Sequence, residues 1–358
     1  MVPDRSRHLR RVLGRSTALG SVILLLATPA IAAEPLPAGA TVVSGAATFA
    51  PVAGVSLGVA LGAVNTIIEY TGFSVPTGTT VNFTDGRAPG VAGTNGIAVL
   101  NRVIGVGGAV PQSEIFGSLT SAPNVSVFLI NPTGIMFGNG AAVSVGGLVA
   151  STLALSNTSF NTPGAGYSFI APAATGVVTV APGASISTQS STLGLGSVAL
   201  IGAQVVTGGT ISARRDVGIV AATDVNIAFV AGSPLSITIN RGTSLNAPIV
   251  ATGSIAGTNV VFAAATQTTV TNALLDIQAV VTATAAAATD RGILLVAGPS
   301  AVIDPNVVFT PAGNNDGSIG AALGGSLTAT GPGGGVTDRK STRLNSSHST
   351  LSRMPSSA

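Results

Sequence analysis

Among the 358 residues, the side chains best spaced for acid–base chemistry are Asp216 and Asp224, which lie close to the basic pair Arg214-Arg215. Paired carboxylates beside guanidinium groups suit cleavage of glycosidic bonds, one group protonating the leaving oxygen and the other acting as base or nucleophile. With calcium, the same residue types suit enzymes acting on acidic polysaccharides. The other acids, such as Glu69, Asp85, Glu114, Asp276, Asp290, Asp304 and Asp316, are scattered singly. Solvated charges at chain corners are therefore the favoured reading of Asp216 and Asp224, and a polysaccharide-active lyase or hydrolase stays as the alternative. Other chemistries are excluded by composition. His8, His348 and Lys340 all lie outside residues 34–337, and the chain contains no Cys. That span therefore holds no Ser-His-Asp triad, no Cys-His nucleophile, no His/Cys zinc site and no Schiff-base lysine. The expected protein uses no metal and no cofactor.

The formal charge of +3 suggests a basic surface, but its distribution contradicts that. Five Arg lie in the first fifteen residues, and Arg339, Lys340, Arg343 and Arg353 lie near the other end. Between Glu34 and Thr337 there are six Arg against ten Asp and Glu, a net of −4, so nucleic-acid binding loses its electrostatic footprint. The basic run Arg5–Arg15, the apolar run Ala18–Ala27 and the small residues Ala30-Ile31-Ala32 read as a secretory leader over residues 1–33, cleaved after Ala32 or Ala33. Its apolar part is too short to span a bilayer. At Asp338 the composition changes abruptly. The string from Asp338 to His348 is similar to the translation of a common sequencing-adapter oligonucleotide, so residues 338–358 are expected to be foreign to the natural protein, which would continue past Thr337.

The elements that must position any site are strands. From Glu34 onward, short runs rich in Val, Ile and Thr alternate with Gly, Asn, Ser and Pro. No sustained helical stripe is present. The sharpest corner is Asn131-Pro132-Thr133-Gly134-Ile135, between the apolar runs Val127–Ile130 and Ile135–Phe137. Pro132 presets φ for a turn and Gly134 supplies a positive φ. The segment Val198–Ala203 recurs as Val217–Ala222, with looser copies at Val260–Ala264 and Gly292–Ala297. Such repeats indicate an all-β fold, a β-solenoid with a less regular N-terminal cap. A period of ~20 residues would give about fifteen coils and a rod on the order of 70 Å. A β-sandwich is the alternative, and it would show stricter apolar–polar alternation. The less regular start runs from Pro35 to about Gly90, the densest motifs from Gly93 to about Asn161, and the cleaner repeats from Gly164 to Gly335.

Several ordered motifs carry a resemblance. They are Thr66–Ser74, Val81–Phe83, Asn95–Gly105 with its Leu100-Asn101-Arg102-Val103, Ile115–Leu119, Val127–Gly138 and Gly147–Thr152. In this order, over roughly residues 40–160, the chain resembles the filamentous-haemagglutinin N-terminal, or two-partner secretion, domain family. The resemblance implies a right-handed parallel β-helix at the head of a large exported adhesin or haemagglutinin-like protein. It implies recognition by an outer-membrane β-barrel transporter with periplasmic binding repeats, and a location outside a Gram-negative-type bacterium, reached through the periplasm. Residues 34–163 would form the secretion-motif region, and residues 164–337 would continue the rod. A host or cell-surface ligand would fall to a region beyond this chain. Two positions depart from the family pattern: Thr133 stands where the family usually has Asn, and Tyr70 where Trp is common.

The resemblance singles out Asn101, Arg102, Asn131, Pro132, Thr133, Gly134 and Ile135, and each has a plain alternative. The corner at Asn131–Ile135 either touches the transporter or only shapes the turn, and Thr133 can still bond through its hydroxyl. Asn101 is expected to face inward, stacking in a polar ladder that satisfies backbone groups, in preference to a recognition role. Arg102 is expected to be a solvated or paired surface residue, with contact to acidic residues of the transporter as the alternative.

Overall fold

The computed structural model describes residues 36–265, with short interruptions at 53–54, 89–95, 163–165, 172, 174–175, 190–195, 230–234 and 246–247, and beyond them only the strands at 275–277, 280–283, 293–298 and 319–323. The expected leader, the expected foreign tail and the Gly313–Gly317 loop lie outside the described residues.

From Thr80 the chain visits three sheets in rotation. Thr80–Asp85 lies in a nine-stranded sheet, Ile97–Val103 in a ten-stranded sheet and Ser113–Ile115 in a six-stranded sheet. The cycle repeats with Ser118–Ser121, Val125–Ile130 and Ile135–Phe137, and resumes with Ala142–Val145 and Gly147–Ser151. Successive turns of the cycle pair in parallel. This is a parallel β-helix. Its N-terminal end is built differently: Thr41–Ser44 runs antiparallel to Asn65–Tyr70, and Ala47–Val52 runs antiparallel to Ser56–Leu61.

Val, Ile and Leu form these strands because each coil must fill a narrow interior. One inward column runs through Val99, Val127, Leu148, Val198, Val217 and Val260, each opposite the next and each buried. Burying a side chain of this kind contributes roughly 1.5–3 kcal/mol. The sequence repeats fall on this register, since Val198 pairs with Val217, Val217 with Val260 and Val260 with Ile293. The ~20-residue period does not hold along the rod. Val198 and Val217 are 19 positions apart (217 − 198), but Val217 and Val260 are 43 apart (260 − 217) and Leu148 and Val198 are 50 apart (198 − 148). Among the described residues the longest sheet has ten strands, fewer than the fifteen coils a ~20-residue period would give, and long stretches of chain leave the rod between rungs.

Those excursions build an outer cover. Ala154–Leu155, Tyr167–Ile170, Asp224–Ala228 and Ser236–Arg241 form a four-stranded antiparallel sheet. A short helix, Asn157–Asn161, precedes its second strand; the Ser156 hydroxyl caps it by accepting from the Ser159 N–H, and only Phe160 is buried. One turn and a half leaves no room for an apolar stripe. The cover shares a second apolar cluster with the outer face of the ten-stranded sheet, in which Ile67, Leu100, Phe128 and Val149 meet Phe160, Phe169 and Ile227. Val125–Ile130 is therefore buried on both faces. That is why its Val127–Ile130 part reads as one continuous apolar run where the half-exposed strands alternate.

Phe128 ties the two layers, with ring centroids 5.3 Å from Phe160 and 5.0 Å from Tyr167. Phe128→Ala is expected to cost about 3–5 kcal/mol in urea unfolding. Val52→Ala, at a position 56% exposed, is expected to change stability by no more than about 0.5 kcal/mol. Equal effects of the two would contradict this packing.

Candidate functional site

The corner at Asn131 is a crossroads of three coils. Asn131 is fully buried. Its side-chain amide Nδ2 donates to the Pro111 carbonyl at 2.8 Å and to Ser113 Oγ at 2.9 Å, both on the preceding coil. Its Oδ1 accepts from the Thr133 N–H at 3.0 Å, closing an Asx turn around Pro132. Its own N–H donates to the Ser151 carbonyl of the following coil at 3.0 Å, and its carbonyl accepts from the Gly134 N–H at 3.2 Å. A carboxamide has a donor end and an acceptor end on one short stem, and this corner uses both. Aspartate, lacking the donor, would face the Pro111 carbonyl oxygen with another acceptor.

The other four residues divide between buried and exposed. Gly134 and Ile135 are buried; Pro132 and Thr133 are exposed. Gly134 has φ +143°, and a Cβ there would sit 3.2 Å from Gln112 Nε2 and 3.3 Å from the Val177 carbonyl. Backbone conformation and crowding therefore both favour glycine. Thr133 Oγ1 donates to the Val110 carbonyl at 2.8 Å, so this hydroxyl supplies a second tie to the preceding coil. The buried polar seam continues on neighbouring coils: Ser74 Oγ accepts from the Glu114 N–H at 3.1 Å, and Thr152 Oγ1 donates to the Gly176 carbonyl at 3.2 Å. Sequence reading did not single out Ser113, Ser74 or Thr152: Ser74 and Thr152 close two of the resembling motifs, Thr66–Ser74 and Gly147–Thr152, but as small hydroxyl residues next to corners nothing marks their bonding role.

Asn101 faces the interior and is fully buried, but it heads no ladder. Its register partners are Ile68 below and Leu129 above. Nδ2 donates to the Phe128 carbonyl at 3.1 Å, while Oδ1 has no hydrogen-bond partner. The expected stack of Asn is thus replaced by one amide in an apolar column, because the adjacent coils place Ile and Leu there. Tyr70, inward on the coil before, is also fully buried with an unpartnered hydroxyl. Burial pushes its phenol pKa above the ordinary tyrosine range. Its ring meets Phe73 edge to face at 5.1 Å.

Arg102 lies on the opposite face of the same strand. Nη1 reaches Glu69 Oε1 at 2.9 Å, and Nη2 donates to the Leu155 carbonyl at 2.8 Å and to Asn157 Oδ1 at 2.7 Å. Arg102 therefore ties two strands of the rod to the outer cover at the helix start. With the Arg102 and Glu69 side chains 20% and 26% exposed, the ion pair itself contributes modestly. The two carbonyl-type acceptors give it its geometric role.

The carboxylates raised as an enzymatic alternative stand on different sheets. Asp216, buried at the start of a strand in the ten-stranded sheet, accepts from Asn259 Nδ2 at 2.8 Å. Asp224, in the outer sheet, accepts from Asn240 Nδ2 at 2.9 Å and pairs in register with Arg241. Among the described residues no group of three or more His, Cys, Asp or Glu could hold a metal ion.

Comparison with known proteins adds to this geometry. The family model described as "TPS secretion domain" matches residues 36–320. The chain is similar to the solved secretion domain of HMW1 from Haemophilus influenzae, with a TM-score of 0.58 and 26% identity over 74% of this chain. The match spans 63% of that neighbour's length. No curated protein matches.

Asn131→Ala strands the Pro111 carbonyl and the Thr133 N–H, and is expected to lower stability by about 2–3 kcal/mol. Thr133→Val removes a single bond at an exposed position and is expected to cost about 1 kcal/mol or less. Urea unfolding of the two purified variants checks the order; a larger loss for Thr133→Val would refute the crossroads role of Asn131.

Proposed function

With the chain belonging to the family of TPS secretion domains through the match over residues 36–320, we propose that it is the targeting module of a larger exported protein. In this reading an outer-membrane β-barrel transporter recognises the module from the periplasmic side through periplasmic binding repeats. The transporter then passes the chain outward, and the coils form outside the cell. The exported protein acts as an adhesin or haemagglutinin at or beyond the cell surface, and its ligand binds a region outside this chain.

One observation supports this best. Four of the six motifs that resemble the family fall on four adjacent strands of one sheet, Asn65–Tyr70, Ile97–Val103, Val125–Ile130 and Gly147–Ser151, and the other two, Val81–Phe83 and Ile115–Leu119, lie on the neighbouring sheets of the same coils. They form one contiguous block of coils, as a recognition module requires. The physical properties of the chain fit passage through a pore. Only 8% of its residues are charged, and it has no Cys to form a cross-link. A rod built by stacking coils on their neighbours can fold by propagation from one end, with no distant segment needed to close the core. The antiparallel cap strands at Thr41–Ser44 and Ala47–Val52 offer a starting end for that growth.

Removing residues 34–160 from an otherwise intact chain fused to a secreted reporter is expected to abolish its appearance outside the cell. Undiminished export of the shortened fusion would overturn the reading.

A further inference from the structure

Between Ile97–Val103 and Ser113–Ile115 the chain leaves the rod as a tight projection. The Val106 N–H donates to the Ala109 carbonyl and the Ala109 N–H returns the bond to Val106, both at 3.0 Å. The two residues between them, Gly107 (φ 60°) and Gly108 (φ 85°), are both left-handed, as a two-residue type I′ hairpin tip requires. Val106 is 69% exposed, the most exposed large apolar side chain among the described residues, and Ile104 beside it is 46% exposed. No charged residue occurs between Arg102 and Glu114. Two branched apolar side chains are thus held in water on a defined scaffold.

That scaffold is held by the Asn131 corner. Thr133 Oγ1 grips the Val110 carbonyl, Asn131 Nδ2 grips the Pro111 carbonyl, and the Ser113 N–H donates to the Gly134 carbonyl at 3.0 Å. On the other side, the Ile104 N–H donates to the Tyr70 carbonyl at 2.8 Å, and Val110 packs against the inner core. Four ties from the coils before and after thus fix the base of one small apolar tip. Clusters of exposed apolar side chains mark interaction sites, and fixing them in advance removes the ordering cost that binding would otherwise incur.

We propose that the hairpin Ile104–Pro111 is the knob by which this module docks on its transporter, seating Ile104 and Val106 in an apolar groove of the transporter's periplasmic part. Asn131 and Thr133 are then positioning residues that hold the knob. The inference rests on the reading that an outer-membrane transporter receives the chain. Two features select this partner. The knob projects from the middle of the motif-bearing coils, between the Asn65–Tyr70 strand and the Asn131 corner. It also offers apolar side chains and backbone without charge, which suits a dry groove and not an acidic or basic surface.

The test places a photo-crosslinking benzoylphenylalanine at position 106, or at position 52 as an exposed apolar control on the cap, in the full chain produced with the transporter that exports it. Cross-links to the transporter are expected from position 106 and not from position 52. Val106→Asp is expected to reduce export at least tenfold with an unchanged melting midpoint, while Val52→Asp exports normally. Thr133→Val is expected to lower the yield of the position-106 cross-link several-fold, and Thr133→Ser, which keeps the hydroxyl, restores it. If the unaltered chain is exported by the transporter and Val106→Asp is exported equally well, the knob is wrong and the transporter reading survives. If position 106 cross-links only to a second copy of this chain, the knob is a self-association surface and the proposal fails. If deletion of the transporter leaves export of the unaltered chain intact, both readings fall.

Discussion

A stacked coil can satisfy its strands with backbone pairing alone, but its corners cannot. At each corner the chain turns away from the ladder, and the carbonyls and N–H groups there face a dry interior unless a side chain reaches them. The Asn131 carboxamide resolves this at the centre of the motif-bearing coils. It donates to the Pro111 carbonyl and Ser113 Oγ, accepts from the Thr133 N–H, and sits on a backbone already paired with Ser151. The neighbouring corners are completed by hydroxyls, Ser74 for one coil and Thr152 for another. Without these small polar groups, an interior of Val, Ile and Leu would stack well along its strands and leave its edges unsatisfied.

The same constraint links the corner to the neighbouring hairpin. The bonds that close the Asn131 corner are also bonds to the base of the Ile104–Pro111 hairpin. A motif whose buried atoms serve the scaffold can in this way govern what an exposed neighbour presents. Asn101 and Arg102 divide their work across one strand: Asn101 points inward and caps a backbone carbonyl, and Arg102 points outward and ties the cover to the rod. Only Pro132 and Thr133 of the corner itself are exposed.

The inward columns made most of the rod legible in the sequence. Val198, Val217 and Val260 head three segments matched by pattern and sit opposite one another in register, while the fourth segment, Gly292–Ala297, is offset by one residue, with Ile293 opposite Val260. Coil length was not legible, because excursions such as the one between Leu148 and Val198 have no compositional mark. Their outer strands, Asp224–Ala228 and Ser236–Arg241, alternate apolar and polar residues just as rod strands do. The five-residue helix was too short to show periodicity. At the site, the corner was visible from Asn-Pro and Thr-Gly, but the Asn101 environment was not, since its partners Ile68 and Leu129 are distant in sequence. The hairpin tip was hidden for another reason: an exposed Val beside two Gly looks like ordinary strand-and-turn chemistry.

In this structure the Asn131 corner is the scaffold of the neighbouring hairpin. Hydrogen exchange on the intact chain and on Asn131→Ala, compared under native conditions, addresses it most directly. Faster exchange is expected in the variant, concentrated at the Val106, Ala109, Ser113 and Thr133 amides, with the strands at Val198–Gly202 and Asp216–Ala221 protected as before. Unchanged protection at Val106 and Ala109, with loss elsewhere or nowhere, would contradict it.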